Sequence, residues 1–410
     1  MTRIAHCCCG SLRAETTGEP AFVGACHCTE CQRRTGSPFG VSTYFPKEQV
    51  RTEGPSKVYM RGSDSGRKIE FHFCPGCGST VFWYAEGLPN LSGIAFGTFA
   101  DASMPRPTVS VWETTRHAWV SFDHQLDRFM VQPNFDQMKE SMRAPWIAGD
   151  FGVIAREIGA PEAEGFVARM GLEPGARVLD IACGTGNVTL PLARRGAIVT
   201  GLDMTPHLLE EARARAARDG LRIRFDEGFA ETLPYPDASF DVLVSMFGIM
   251  FSPLPTAVVS EMARVLRPGG RLALANWTRS GFGGKMSAVV ARYVPPPPQG
   301  TISPFLWGDE ATVRDRLKPG FDAVETRVVT VRWELQRSAA GSAEFFAKNA
   351  GPIQLALGRL DAPKQAALLH DLEQLWIDNN LATNGENHTL ISNEYLQALA
   401  TRRLGDRAQA

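Results

Sequence analysis

The chain has 410 residues, 44% of them hydrophobic, with 43 Lys+Arg against 44 Asp+Glu for a formal net charge of -1. That length exceeds what one core serves, since cores stop growing near roughly 250–300 residues, and it points to two or three domains. The balanced charge excludes a whole-chain electrostatic footprint for nucleic acid, and no stretch reaches the roughly 18 apolar residues of a membrane span.

The opening MTRIAHCCCG lacks the apolar run of about 7–15 residues that a secretory signal needs, so a cytoplasmic protein is expected, without membrane or nucleic-acid partners. Of nine cysteines, eight lie in the first 77 residues: Cys7, Cys8, Cys9, Cys26, Cys28, Cys31, Cys74 and Cys77. In a reducing compartment such a cluster points to metal rather than disulfides. FGVSTYF (39–45), KIEFHFC (68–74), STVFWYA (79–85) and HAWVSFD (117–123) are rich in aromatic and β-branched residues and are expected as strands. No long amphipathic helix accompanies them. The result is a small, mostly β domain, too loop-rich to hold without a staple, and metal is a natural staple.

The cysteines form three groups: Cys7-x-Cys9, Cys26-x-Cys28-x-x-Cys31 and Cys74-x-x-Cys77. Such spacings put thiolates on one side of a tight turn, at the reach of tetrahedral zinc. On a strand, Cys7 and Cys9 share a face and Cys8 points away. Pairing the first and third groups gives Cys7, Cys9, Cys74 and Cys77 as a closed structural site. Cys26, Cys28 and Cys31 remain as an open zinc site, which chemically active zinc requires. His27 or His72 could instead supply an eighth ligand and make both zincs structural. Arg33 and Arg34 could pair with a substrate carboxylate or stand as solvated surface charges.

CCCG (7–10), CHCTECQRRTGS (26–37), FCPGCGS (73–79) and WETTRHAWVSFD (112–123) occur in this order. With them, residues 3–130 resemble the glutathione-dependent formaldehyde-activating enzyme family, also called the centromere protein V family. The resemblance implies an Mss4-like β-tent and two Zn2+ per chain. It also implies joining a thiol to an aldehyde, or releasing the adduct, as a carbon-sulfur lyase at the three-cysteine zinc. Glutathione or another thiol, and formaldehyde, are the implied small-molecule partners.

Over 126–150 the texture turns from strand to helix, and a boundary near residue 134 gives a zinc domain over 1–133 and a second domain over 134–410. FGVIAREI (151–158) and AEGFVARMGL (163–172) have helical spacing. Strands are expected at RVLDIA (177–182), AIVTGLD (197–203), RIRFDEG (222–228), SFDVLVSM (239–246) and RLALANW (271–277). Helices are expected between them, including PHLLEEARARAARDG (206–220), which ends at Gly220, and TAVVSEMARVLRPGG (256–270). This alternation predicts an α/β, Rossmann-like domain with a mainly parallel sheet. Beyond the Pro295–Pro298 loop, TRVVTVRWEL (326–335) reads as an added edge strand with Val329, Val331 and Trp333 on one face. Helical segments follow near 343–349 and 360–377.

In VLDIACGTGNVTLPLA (178–193) a buried strand enters a turn with Gly184 and Gly186, where the backbone can approach a ligand. Asp203 ends the next strand, placed to accept hydrogen bonds from ribose hydroxyls. A dinucleotide fingerprint would put a third glycine where Thr189 stands. Asp180 would face a phosphate badly and an amino group well. Both points favour S-adenosyl-L-methionine over NAD.

With DIACGTG (180–186), TGLD (200–203), AETLPYPDASFD (230–241) and RVLRPGGRLALANW (264–277), residues 140–410 resemble the class I methyltransferases. The resemblance implies that Gly184, Thr185 and Gly186 wrap the methionine part of the cofactor, with Asp180 near its amino group. It places the ribose on Asp203, the adenine beside Met204, and Ser245 on the methionine side. Phe229 stands where the family usually has an Asp bonding the adenine amino group; stacking, or the backbone amide of Ala230, could substitute. A degenerate domain without cofactor is the alternative. No catalytic base stands out: His207 and Glu231 read as solvated or capping side chains, and Cys183 as packing. Methyl transfer needs chiefly an in-line approach and exclusion of water.

Two functions remain in view. One is a bifunctional enzyme, with thiol–aldehyde chemistry at zinc and methylation of a small molecule. The other is a methyltransferase with a non-catalytic zinc module. A nucleic-acid-contacting zinc domain is disfavoured by the lack of a dense Lys/Arg stripe.

Overall fold

The computed structural model describes residues 2–62, 67–130, 135–297, 301–383 and 387–404. The chain divides into two compact units, Met1–Asn134 and Phe135–Ala410. The boundary expected near residue 134, and Pro298 of the proline loop, fall outside the described residues. Among the described residues no helix is long and apolar enough to cross a membrane.

The first unit contains β1 (Thr2–His6), β2 (Arg13–Thr17), β3 (Phe22–Cys26), α1 (Thr29–Thr35), β4 (Gly40–Pro46), β5 (Val50–Glu53), β6 (Lys57–Gly62), β7 (Lys68–Phe73), β8 (Thr80–Ala85), β9 (Leu91–Ala95), β10 (Val109–Val111) and β11 (Asp127–Phe129). They form a three-stranded sheet, β1-β2-β5, and an eight-stranded sheet, β11-β10-β3-β4-β9-β8-β7-β6. On β1 and β2 every second residue is buried, the two-residue period of a sheet with one wet face. Leu12, Phe45, Val81, Phe82 and Ile94 form the core, together with Cys7 and Cys74.

HAWVSFD is not a strand. Val120 N–H closes a turn onto His117 O at 3.0 Å, Arg116 bonds the Val120 carbonyl, and Trp119 is 73% exposed. The sheet is instead completed by β10 and β11, both in parallel register with their neighbours.

The second unit begins with α2 (Phe135–Ala148), α3 (Phe151–Ile154) and α4 (Ala160–Arg169). It continues with β12 (Arg177–Ile181), α5 (Thr189–Arg194), β13 (Ile198–Asp203), α6 (Pro206–Arg218), β14 (Arg224–Glu227), β15 (Phe240–Met246), α7 (Pro255–Val265) and β16 (Leu266–Trp277). It closes with α8 (Phe282–Ala291), α9 (Glu310–Leu317), β17 (Phe321–Leu335), α10 (Ala339–Asn349), α11 (Gly351–Leu357), α12 (Ala362–Asn379) and β18 (Thr389–Arg402). The sheet order is β14-β13-β12-β15-β16-β18-β17. Its first five strands are parallel, and β18 runs antiparallel to both neighbours. Cores cover both faces: Val178 and Val244 turn to one, Leu179 and Leu243 to the other.

Two details depart from the sequence expectation. The helix expected over 256–270 ends at Val265, and Arg267 to Gly270 join β16. Pro268 has no N–H to continue a helix, and Gly269 takes φ 73°. β18 was not anticipated at all. The added edge strand is real: β17 lies at the sheet margin with Val331, Trp333 and Leu335 turned inward.

Candidate active site and thiolate clusters

Strand order reverses between β12 and β15, and ligands bind in the crevice beyond the carboxyl ends at such a switch point. A cavity of about 430 Å³ opens there. Asp180, Gly184, Thr185, Asp203, Met204, Phe229 and Ala230 line it. Gly186 and Ser245 are not among its lining residues. Ser245 is fully buried; its hydroxyl donates to Ile181 O at 2.7 Å and accepts from Ile249 N–H at 3.3 Å. It therefore fastens β15 to β12. Gly186 serves the turn from behind: at φ 84°, a Cβ there would lie 2.5 Å from Leu190 Cδ1.

Asp203 organises the turn. One carboxylate oxygen accepts Gly184 N–H at 2.8 Å, and the other accepts Thr205 N–H at 2.9 Å. A carboxylate has about four acceptor sites, so capacity remains for hydroxyls of a ligand. Asp180 is fully buried and accepts a bond from Thr189 Oγ1 at 2.6 Å. Thr189 thus has a purpose that glycine at its position could not serve. Burial pushes the Asp180 carboxyl up to about 7, and the nearby Asp203 adds to the rise. Burial raises Asp203 as well. Such a carboxylate favours a cationic partner.

The wall contains backbone strain. Ala182 and Phe247 take φ of 58° and 62°, a conformation that costs of order 1–3 kcal/mol and gathers at functional sites. The Phe247 ring lies flat on Trp277, centroids 3.6 Å apart and 8° from parallel. The Arg143 guanidinium lies 5.0 Å from the centroid of Phe229. His207 does not line the cavity, whereas Glu231 does, bonded to Ser252 Oγ. Cys183 lines it too, but burial pushes its thiol up, which suits packing. Sequence reasoning missed the far wall, where α2, α3, α8 and α10 contribute Trp146, Phe151, Met286 and Phe346. The only signal was aromatic residues at helical spacing, which reads as ordinary core.

In the first unit, the ligand atoms of Cys7, Cys9, Cys74 and Cys77 lie within 4.8 Å of one another, and so do those of Cys26, Cys28 and Cys31. Two matching turns build the first cluster, not a strand. Gly10 N–H bonds Cys7 O and Gly78 N–H bonds Cys74 O, each at 2.9 Å. Gly10 and Gly78 take φ of 76° and 75°, which explains the glycine after each pair. Hydrogen bonds from the Ser79 hydroxyl and N–H push Cys77 down to about 5. Cys8 is exposed, outside the cluster, and accepts from Ser79 Oγ at 3.2 Å.

Neither histidine joins a cluster. His27 Nε2 lies 3.1 Å from Ser110 Oγ; His72 contacts Ser56 and Glu70 at 3.0 and 2.8 Å. Two donors, one from α1 itself and one from a distant segment, lock the second cluster's loop. Gln32 Nε2 and Thr115 Oγ1 both bond His27 O, at 2.7 and 2.9 Å. Hydrogen bonds from the Cys26 and Cys31 thiols hold Cys28 well below the usual thiol range. Arg33 is exposed and paired with Glu30. Arg34 instead passes beside the cluster: a Cβ on Gly40 would meet Arg34 Nη2 at 3.0 Å and Cys31 Cβ at 3.5 Å. Its guanidinium lies over Phe71 and Trp83, and its buried Nε has no hydrogen-bond partner among the described residues. A concavity of about 360 Å³ adjoins it, lined also by Arg61 and Tyr59.

Residues 2–115 match the family model for the glutathione-dependent formaldehyde-activating enzyme. Residues 178–270 match the model for a methyltransferase domain. Over 261 residues the chain is 36% identical to uncharacterized protein Rv1405c of Mycobacterium tuberculosis, covering 64% of this chain and 94% of that protein. It is 48% identical over 100 residues to demethylmenaquinone methyltransferase of Deinococcus radiodurans, 24% of this chain and 42% of that one. It is 42% identical over 123 residues to methyltransferase GfsG of Streptomyces halstedii, 29% of this chain and 44% of that one. Sheet order, switch-point cavity and these matches define a methyltransferase, and its fold supports S-adenosylmethionine as cofactor. The chain belongs to the class I methyltransferase family shared with the mycobacterial protein, carrying an N-terminal domain of the formaldehyde-activating enzyme family.

Proposed function

We propose a bifunctional enzyme, with S-adenosylmethionine-dependent methyl transfer to a small molecule in the second unit and thiol–aldehyde adduct chemistry at zinc in the first. The carrying observation is the pair of buried carboxylates at one glycine turn, Asp180 and Asp203. Asp180 would hold the cofactor's ammonium, Gly184 and Thr185 its methionine part, and Asp203 its ribose hydroxyls. Met204, Phe229 and Ala230 would surround the adenine. When bound, the cofactor supplies a methyl group on a sulfonium. The protein's part is to bind, orient and exclude water.

Seven cysteines would hold two zinc ions. Cys7, Cys9, Cys74 and Cys77 close one site; Cys26, Cys28 and Cys31 leave a position open on the other. An open zinc lowers the pKa of a bound thiol or polarises a carbonyl. Arg34, whose Nη2 lies beside Cys31 at Gly40, suits a carboxylate on a thiol such as glutathione. Reduced thiols in this number fit a cytoplasmic setting.

Calorimetric titration with S-adenosylmethionine tests the first activity; absence of binding at millimolar ligand overturns it. For the second, cobalt-substituted protein is titrated with glutathione. The expected result is two metals per chain with one visible spectrum responding. Two S4-like sites indifferent to thiols would leave the zinc domain a structural module.

A further inference from the structure

The methyltransferase cavity has a second half that the cofactor residues do not use, and its chemistry is one-sided. Trp146 packs against Phe151 and Phe251, with ring centroids 4.5 and 4.8 Å away. Phe247 is stacked on Trp277, whose edge meets Trp333 at 5.5 Å. All six rings line the cavity. Among the described lining residues there is no Lys, Arg or His. The lining carboxylates are Asp180 and Asp203 at the glycine turn, and Glu231, which is bonded to Ser252.

These observations bear on the acceptor in three ways. A carboxylate or phosphate entering the cavity would lose its hydration, find no cationic side chain among the described lining residues, and meet the lining carboxylates. Aromatic walls reward a flat apolar body, because offset and edge-to-face ring contacts add to the area buried. No imidazole or amine is among the described lining residues and the three lining carboxylates are already hydrogen-bonded, so the nucleophile must ionise readily on its own.

Resting on the methyltransferase reading, we infer that the acceptor is an uncharged, flat, apolar molecule bearing a weakly acidic hydroxyl of the phenol or enol type. In the reaction the hydroxyl proton passes to water. The oxygen lone pair forms the new carbon–oxygen bond. The carbon–sulfur bond breaks with its electron pair going to sulfur, which becomes a neutral thioether.

The test uses the full chain at neutral pH with two probes of one shape, 2-naphthol and 2-naphthoate. Binding is read by equilibrium dialysis and by tryptophan fluorescence, with and without S-adenosylhomocysteine. The naphthol should bind at least about tenfold more tightly than the naphthoate, which forfeits its hydration. Trp146→Ala should weaken naphthol binding at least about tenfold through lost ring contact. Met286→Lys, which places a cation on the wall, should bring the naphthoate to parity or beyond. Naphthoate binding as tightly as naphthol to the unaltered chain overturns the inference without recourse to any variant. So does a naphthol affinity indifferent to Trp146→Ala in a folded variant. Failure of S-adenosylhomocysteine to bind, while naphthol still binds selectively, would strike the methyltransferase reading and leave the pocket chemistry standing.

Discussion

The two units solve the same stability problem with different materials. In the first, two core positions are thiols of the four-cysteine cluster, Cys7 and Cys74, both fully buried. In the second, both faces of one sheet are covered by large apolar side chains, with Trp376, Tyr395 and Phe166 fully enclosed. The first core therefore includes groups able to hold a metal staple, whereas the second is closed by apolar packing on both faces of its sheet. In the first unit the four-cysteine cluster thus belongs to the core while the three-cysteine cluster lies outside it, whereas the second unit's site is laid over a scaffold of apolar side chains.

Metal removal should separate the units most strongly. Stripping with a strong chelator should abolish the first unit's calorimetric transition, since structural zinc contributes about 10–16 kcal/mol in small domains. The second transition and S-adenosylmethionine binding should persist. One shared transition, lost as a whole, would break the comparison. The converse substitution is Phe166→Ala, expected to lower the second unit's stability by about 3–5 kcal/mol while leaving the first transition in place.

A subtler difference is in pH. Asp180 has its pKa raised to about 7 by burial, so below that pH the apoprotein holds it neutral. Binding an ammonium requires the ionised form. Cofactor affinity should thus be lost as pH falls through 7, by about tenfold per unit, and be flat above. For the apoprotein the sign reverses: this group's contribution to stability falls as pH rises from the ordinary carboxylate range toward 7. Asp180→Asn should flatten both profiles. Titration calorimetry from pH 6 to 8 decides it, and a pH-independent affinity would remove Asp180 from the ammonium role. The smallest effect is expected from Cys8→Ser, which should leave metal content unchanged and stability within about 0.5 kcal/mol.

Much of this was legible in the sequence, for physical reasons. Cysteine spacing reports turn geometry directly, and the groups Cys7/Cys9/Cys74/Cys77 and Cys26/Cys28/Cys31 are the ones that meet in space. The strand–glycine–helix motif likewise reports a local conformation, and Asp180, Gly184 and Asp203 come together as local chemistry requires. What was not legible depends on distant partners. β18 interleaves polar residues such as Asn393 and Gln397, both buried, and becomes a central strand only because β16 and β17 accept it. HAWVSFD has strand composition, but the segments on either side of it, β10 and β11, pair with each other and leave it as the connection between them. The aromatic wall is assembled from α2, α3, α10, β16, β17 and the turn after β15, and no single element announces alone that its Trp or Phe faces a cavity.

Asp203 has a consequence beyond ligand contact. Its two oxygens are tied to Gly184 and Thr205 before any ligand arrives. The loop's ordering entropy is therefore spent during folding and is not charged against affinity. On the proposed assignment of the ribose to Asp203, selection for cofactor recognition would act on foldability at the same moment, and replacing this residue would first require another anchor for the loop.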